Sequence, residues 1–268
     1  MVLEKFSLKE KVAIVTGAGR GIGKSIALAF AEAGADVVVA ARTGKEIEQT
    51  AEEINRLGRK AIFVPMDVRK ARGVQDMVDQ TLDKFGKIDI LVNNAGIATG
   101  KSAFEISEED WHRVLDTNLT GPFLCSKAVG RHMVKRRRGA IINIVSTLAI
   151  RGMPERLDYC ASKGGLIQIT KVLALEWAQY NIRVNAIGPG FFYTPMTARR
   201  HDDPDYREKL LPSIPLRRLG QANEIAPLAV YLACDASSYV TGEAFFIDGG
   251  ILAKGPFYIE ADYAARDR

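Results

Sequence analysis

The sequence is poor in the residues that build metal and redox centres. Its three cysteines, Cys125, Cys160 and Cys234, are far apart and odd in number, so no C-x-x-C pair exists. That usage fits a reducing compartment. Three histidines, His112, His132 and His201, are equally scattered, and no metal-ligating constellation is visible. No apolar run approaches ~18 residues, so no transmembrane helix is expected. Glu4, Lys5, Lys9 and Glu10 interrupt the first ten residues, where a secretion signal would be continuously apolar. No basic run is studded with aromatics, and a net charge of +5 reads as a solvated surface rather than a nucleic-acid footprint. The expectation is a cytoplasmic protein with neither membrane nor nucleic-acid partners. Internal repeats and low-complexity linkers are absent too, so residues 1–268 read as one domain.

What the chain does have is alternation. Seven short apolar runs occur at 12–16, 36–41, 61–65, 88–93, 140–146, 182–188 and 244–248, rich in Val and Ile and bounded by Gly, Pro, Asn or Asp. Near-continuous apolarity argues for strands covered on both faces, hence a parallel sheet. Between them the periodicity predicts helices at 22–33, 43–57, 70–85, 108–137, 157–180 and 221–234. Gly34 and Gly58 stand where helix-ending glycines belong. The pattern predicts an α/β fold, a doubly wound parallel sheet of about seven strands with helices on both faces. Residues 195–219, with four prolines and a charged patch, read as an insertion or lid above the sheet. Residues 251–268 read as a tail.

The first strand runs into Thr16-Gly17-Ala18-Gly19-Arg20-Gly21-Ile22-Gly23 and then a helix. The spacing is T-G-x3-G-x-G rather than G-x-G-x-x-G, but the logic is shared. Glycines permit a tight turn, and a helix N-terminus offers its amides and positive dipole end to a pyrophosphate. An acidic residue some 20 positions on would bind a ribose hydroxyl. Asp36 has that count, but it opens the second strand, on the order of 15 Å from the strand's carboxyl end. That end reads Ala40-Ala41-Arg42-Thr43. Arg42 and Arg20 can meet a 2′-phosphate, which favours NADP(H) over NAD(H), unless Arg42 is simply a solvated surface residue.

Nine marks in order give the sequence a resemblance to the short-chain dehydrogenase/reductase family over residues 11 to about 250. They are TGAGRGIG (16–23), Asp67-Val68, NNAG (93–96), Asn118, Ser146, YCASK (159–163), GPG (188–190), Thr194 and Asp248-Gly249-Gly250. The resemblance implies a Rossmann-like catalytic domain that binds a nicotinamide dinucleotide. Asp67 and Val68 resemble the pair around the adenine. Asn93, Asn94, Ala95 and Gly96 resemble the segment beside the adenosine ribose, although Asn93 could equally tie strands together. Pro189, Gly190 and Thr194 resemble the lining of the nicotinamide. The family also implies a homotetramer, with 108–137 and 157–180 at one interface.

Chemistry centres on Tyr159 and Lys163, four residues apart and so on one helix face. An unperturbed tyrosine titrates near pH 10. A lysine ammonium within about 4–6 Å is expected to lower that value, as is an oxidised nicotinamide ring. Ser146 closes a strand at the edge where open α/β sheets bind ligands. The reading is hydride exchange between nicotinamide and a carbonyl or secondary alcohol. Tyr159 acts as acid/base and Ser146 holds the carbonyl oxygen. Lys163 tunes Tyr159 and bonds the nicotinamide ribose, and Asn118, by resemblance, links Lys163 to solvent.

Substrate choice falls to 97–104, 147–157 and 191–215, which contain Arg151, Met153, Phe191, Phe192 and Tyr193 as a mixed apolar-basic lining. The first reading is a reductase of 3-oxoacyl thioesters, with Lys135-Arg136-Arg137-Arg138 attracting an acidic acyl carrier. Tyr180 departs from it, since that subgroup usually has a basic residue there. The alternative is a sugar, polyol or other secondary-alcohol dehydrogenase acting on a free small molecule. A non-catalytic redox sensor is a third reading, disfavoured by the intact Asn118, Ser146, Tyr159 and Lys163.

Overall fold

In the computed structural model, residues 2–254 are described. Seven strands form one wholly parallel sheet: β1 (Val12–Thr16), β2 (Asp36–Ala41), β3 (Ala61–Pro65), β4 (Ile90–Asn93), β5 (Gly139–Ile144), β6 (Ile182–Pro189) and β9 (Ala244–Ile247). Their order is β3-β2-β1-β4-β5-β6-β9. The order reverses between β1 and β4, and such a switch point opens a crevice at the strands' carboxyl ends. The register pairs Thr16 with Ala40, Asn93 with Asn143 and Ile144 with Ile187, which places those carboxyl ends along one edge.

Strand alternation sorts the core into two layers. Ala13, Val15, Val37 and Val39 face one side and pack with Ile26 and Phe30 of α1 (Gly21–Glu32), Ile54 of α2 (Gly44–Arg56) and Leu232 of α9 (Ala226–Ala233). Ile14, Val38 and Leu91 face the other. There they meet Met77 of α3 (Ala71–Phe85), Val129 of α5 (Gly121–Arg136) and Ala174 of α6 (Leu157–Trp177). Period-2 burial on both faces explains why the strands read as unbroken apolar runs.

Two predicted helices are interrupted. The 108–137 segment is α4 (Glu108–Leu115), a π-helical turn (Asp116–Thr120) and then α5. Pro122 causes the break: it has no N–H for the carbonyl of Asn118 four residues back, and its ring crowds that carbonyl. The 221–234 segment is a 3-10 turn (Ala222–Glu224) followed by α9. The 195–219 insertion contains α7 (Ala198–His201) and α8 (Pro204–Leu210), framed by a small sheet of β7 (Phe192–Tyr193) and β8 (Gly220–Gln221). The tail expected at 251–268 lies outside the described residues beyond Lys254. Among the described residues no helix is long and apolar enough to cross a membrane.

Candidate active site

The glycine turn joins β1 to α1 at the switch point. Gly17 and Gly21 have φ of 64° and 56°, the left-handed region that glycine enters without strain. A Cβ on Gly23 would collide with Asn94 Nδ2 and the Gly17 carbonyl, so the helix can close on the turn only with glycine there. Arg20 precedes the helix without capping it, and the first turn of α1 carries no acidic residue. Its leading amides are therefore open to an anion. The Thr16 hydroxyl ties the turn to β4: it donates to Val92 O at 3.2 Å and accepts from the amides of Asn94 at 3.0 Å and Ala95 at 3.2 Å. Asn94 Nδ2 returns the contact to Thr16 O at 2.9 Å and Gly17 O at 3.1 Å. Gly19 packs over Glu46 of α2, and Ile22 turns into the core.

The remaining dinucleotide candidates lie along the same edge. Asp36 is at the opposite end of β2, bound to Arg59 at 2.8 Å. Arg42 is exposed just past β2, its side chain has no hydrogen-bond or ion-pair partner among the described residues, and its charge reaches Asp67. Arg20 approaches Glu46 at 3.5 Å. Asp67 is gripped by Arg69, with Nη2 at 2.6 Å and Nε at 2.9 Å from Oδ2, and this holds its carboxyl below the usual carboxylate range. Val68 is buried against Gly121. Asn93 is a strand tie, its Nδ2 donating to Ser126 Oγ at 3.0 Å and Asn143 Oδ1 at 2.9 Å. Pro189 ends β6, and Gly190 N donates to Ile247 O at 2.8 Å. Thr194 and Pro195 approach Gly21 across the crevice, 3.6 Å from the position a Cβ would take.

Ser146, Tyr159, Lys163 and Asn118 meet beyond the end of β5. Ser146 starts a 3-10 turn and accepts from Leu148 N at 3.1 Å. Lys163, only 3% exposed, donates to the last carbonyl of the strand, Ile144 O, at 2.7 Å. Its Nζ stands over the Tyr159 ring, 5.6 Å from the centroid. A Cβ on Gly96 would lie 3.5 Å from both Lys163 Nζ and Asn118 Oδ1. Asn118 is fully buried in the π turn, its amide donating to Ile97 O at 2.8 Å and accepting from Ile97 N at 2.9 Å.

Electrostatics reverse one expectation. Burial pushes the Tyr159 phenol above its ordinary value; a hydrogen bond with Ser146 opposes this, Cys160 adds to it, and the charge of Arg156 also opposes it. Lys163 does not lower the phenol, because its ammonium is drawn onto Ile144 O and over the ring face rather than to the hydroxyl. Burial brings Lys163 itself down to about 8.

The expected substrate lining is also smaller than the sequence suggested. Phe192 is buried in the main core. Phe191 lies edge-on to His201, and Tyr193 donates to Asp202 Oδ1 at 3.0 Å, so both serve the lid. The Lys135–Arg138 cluster is at the wrong end of the molecule. It precedes Gly139, the first residue of β5, whereas Ser146 follows the last, about 20 Å away at strand rise. Arg136 is bound to Asp89 at 2.9 Å, Arg137 to Gln179 O at 2.7 Å and Arg138 to Asp235 at 3.0 Å.

Sequence reasoning passed over Asp158 and Thr99. Asp158 is fully buried in the first turn of α6, accepting from Tyr159 N at 2.7 Å and from Thr99 Oγ1 at 2.6 Å. It therefore docks the 97–104 loop onto the helix that carries Tyr159. Adjacency to YCASK was the available signal, but its partner is 59 residues away.

Known proteins share this architecture. A family model described as enoyl-(acyl carrier protein) reductase matches residues 17–252. The chain is 44% identical to a 3-oxoacyl-[acyl-carrier-protein] reductase of Synechocystis sp. over 248 residues, 92% of this chain and 98% of that one. A short-chain type dehydrogenase/reductase from Mycobacterium marinum superposes with a TM-score of 0.91 at 40% identity, covering 95% of this chain and 100% of that one. A gluconate 5-dehydrogenase from Burkholderia cenocepacia, in complex with NADP and tartrate, superposes with a TM-score of 0.91 at 36% identity over 95% and 100%. With its parallel sheet and glycine turn, this chain belongs to the short-chain dehydrogenase/reductase family, NAD(P)-using oxidoreductases that act on CH–OH groups.

Proposed function

We propose that residues 1–268 act as one catalytic unit that interconverts a carbonyl and a secondary alcohol, with NADP(H) as the favoured cofactor. The observation that carries this is the convergence of Ser146, Tyr159 and Lys163 on the carboxyl edge of the sheet, facing an uncapped helix N-terminus. A bound nicotinamide dinucleotide supplies or accepts the hydride. Gly17, Gly19, Arg20, Gly21, Ile22 and Gly23 would hold its pyrophosphate, Asp67, Val68, Asn94, Ala95 and Gly96 its adenosine half, and Pro189, Gly190 and Thr194 its nicotinamide half. Arg42, exposed and in no ion pair with a described residue, suits a 2′-phosphate, and the NADP held by the Burkholderia relative supports that choice.

Tyr159 donates its proton to the developing alkoxide and recovers it in the oxidative direction. Its raised pKa keeps it protonated at neutral pH, as an acid requires. Ser146 bonds the same oxygen as charge builds on it. Lys163 provides a buried cation beside both, and Asn118, whose backbone carbonyl lacks the usual i+4 donor at Pro122, continues the proton path from Lys163.

Two finer readings remain. The Synechocystis relative supports a 3-oxoacyl thioester, but the basic cluster that would draw an acyl carrier lies at the opposite edge with its arginines paired. That placement favours the second reading, a free sugar, sugar acid or other small secondary alcohol, which the gluconate 5-dehydrogenase relative supports. We also propose a homotetramer built partly on α5 and α6, where Phe123, Val172 and Leu175 are exposed; a monomeric mass by light scattering would refute this. The functional test is a screen of carbonyl compounds, thioesters included, read by loss of NADPH absorbance in the parent and Tyr159→Phe. Turnover that needs Tyr159 is expected. Cofactor binding with no turnover in either protein would favour a redox sensor, and equal turnover in both would remove Tyr159 from the chemistry.

A further inference from the structure

Once Phe191, Phe192 and Tyr193 are committed to lid and core, the segment between Ser146 and Tyr159 offers two cations, Arg151 and Arg156, beside the exposed Ile150 and Leu157. Arg156 occupies the cap position of α6, three residues before Tyr159. Its guanidinium lies against the 97–104 loop, 2.9 Å from where a Cβ on Gly100 would stand; Gly100, at φ 77°, is the residue that lets the loop close down on it. Its hydrogen-bond partner is the neutral carbonyl of Glu155, at 2.7 Å from Nη1.

No carboxylate of the described residues pairs with Arg156. Glu155 is turned by a left-handed backbone, φ 60°, and its acid group faces Arg200 of the lid at 3.9 Å. Asp158 uses one oxygen on Thr99 and the other on Tyr159 N. Arg151, five residues after Ser146, likewise has no ion pair, and its Nε is buried without an acceptor. A buried guanidinium donor left unmatched is costly, and its fork geometry fits a carboxylate. The charge of Arg156 is already felt at the Tyr159 hydroxyl.

Resting on the reading of this site as a carbonyl/alcohol redox centre, we infer that Arg156 binds a carboxylate on the substrate. The substrate is then a hydroxy or oxo acid of sugar size rather than a neutral polyol or a thioester. Arg156 sets specificity by anchoring the acid end while the carbinol carbon lies at Tyr159.

The test compares D-gluconate, D-galactonate and D-mannonate, each with its neutral amide, in the presence of NADP. A 3-oxoacyl thioester and sorbitol are assayed alongside. At least one acid is expected to exceed its amide in kcat/KM by about tenfold or more, the worth of a charge-assisted hydrogen bond. Arg156→Gln lowers kcat/KM on the acid by about tenfold more than on the amide, the difference falling chiefly in KM, and leaves the NADP Kd unchanged. Arg156→Lys restores part of the loss. The inference is overturned if acid and amide are used equally, if Arg156→Gln harms both alike, or if only sorbitol or the thioester turns over. No turnover of any compound in this set or in the wider carbonyl screen, with NADP still bound, would instead overturn the functional reading beneath it.

Discussion

The two edges of the sheet treat charge in opposite ways. At the amino edge most charges pair: Asp36 with Arg59 at 2.8 Å, Asp89 with Arg136 at 2.9 Å, and Asp235 between Lys11 at 3.6 Å and Arg138 at 3.0 Å. Arg183, at the start of β6, reaches only Cys234 O and keeps Nη1 buried without a partner among the described residues. At the carboxyl edge Arg42, Arg151, Arg156 and Lys163 form no ion pair with any described residue, although Arg69 pairs with Asp67, Arg20 approaches Glu46 at 3.5 Å and Arg200 approaches Glu155 at 3.9 Å. Unpaired cations, two of them with buried nitrogens, do not favour folding. Their retention on one edge marks where anions and developing negative charge are to be met, while the other edge only has to hold the strands together.

Substitutions can break that contrast, beginning with the largest effect. Tyr159→Phe is expected to lower kcat by about a thousandfold with NADPH affinity unchanged, measured by steady-state kinetics and calorimetry. Parent-like turnover would remove the chemical meaning of the carboxyl edge. Lys163→Met is expected to lower kcat by about 300-fold, yet at pH 7 its urea midpoint does not fall below the parent's. The sign follows from burial: Lys163 is held at about 8 when folded against 10.5 when free, so between those values the unfolded chain binds more protons. Parent stability therefore rises with pH across that window, and the variant lacks the rise. In the parent, reductive kcat/KM declines above pH about 8 as Lys163 loses its charge.

On the amino edge the expectations invert. Asp89→Ala removes the partner of Arg136 and the acceptor of Val12 N, costing about 3 kcal/mol of stability by denaturant titration. Its kcat per folded molecule stays at the parent value; a catalytic defect would mean the edges are not separable. Smallest is Arg42→Ala, which is expected to weaken NADPH binding about tenfold, leave NADH binding alone and change stability by less than about 0.5 kcal/mol. An unchanged NADPH to NADH ratio would return Arg42 to the solvated surface.

Much of this was legible because the relevant forces are local. The first three strands begin and end where their apolar runs do; for β1 and β2 the cause is burial, which leaves no room for polar residues inside the strand. Tyr159 and Lys163 share a face by helix periodicity alone. Other features depend on distant contacts. The π turn hides inside an unbroken helical pattern, and its cause is one ring at Pro122. Phe192 differs from its neighbours in burial because alternate residues of a strand point to opposite sides. The direction of the Tyr159 shift depends on how deeply the phenol is set and where the Lys163 ammonium turns, and neither is written locally. The misplacement of Lys135–Arg138 was avoidable, however. A crossover helix between parallel strands must end at the amino edge, so topology already barred that cluster from the site.

The lid has a kinetic consequence. Its link to the substrate loop, among the described residues, is the exposed Arg200–Glu155 pair at 3.9 Å, whereas Thr197 and Tyr193 tie it only to its own base. A surface pair of that length adds little to the equilibrium but is strongly screened by salt. Ionic strength thus acts as a throttle: if opening governs product escape, turnover quickens as salt rises, and if proton or hydride movement governs it, the rate stays flat.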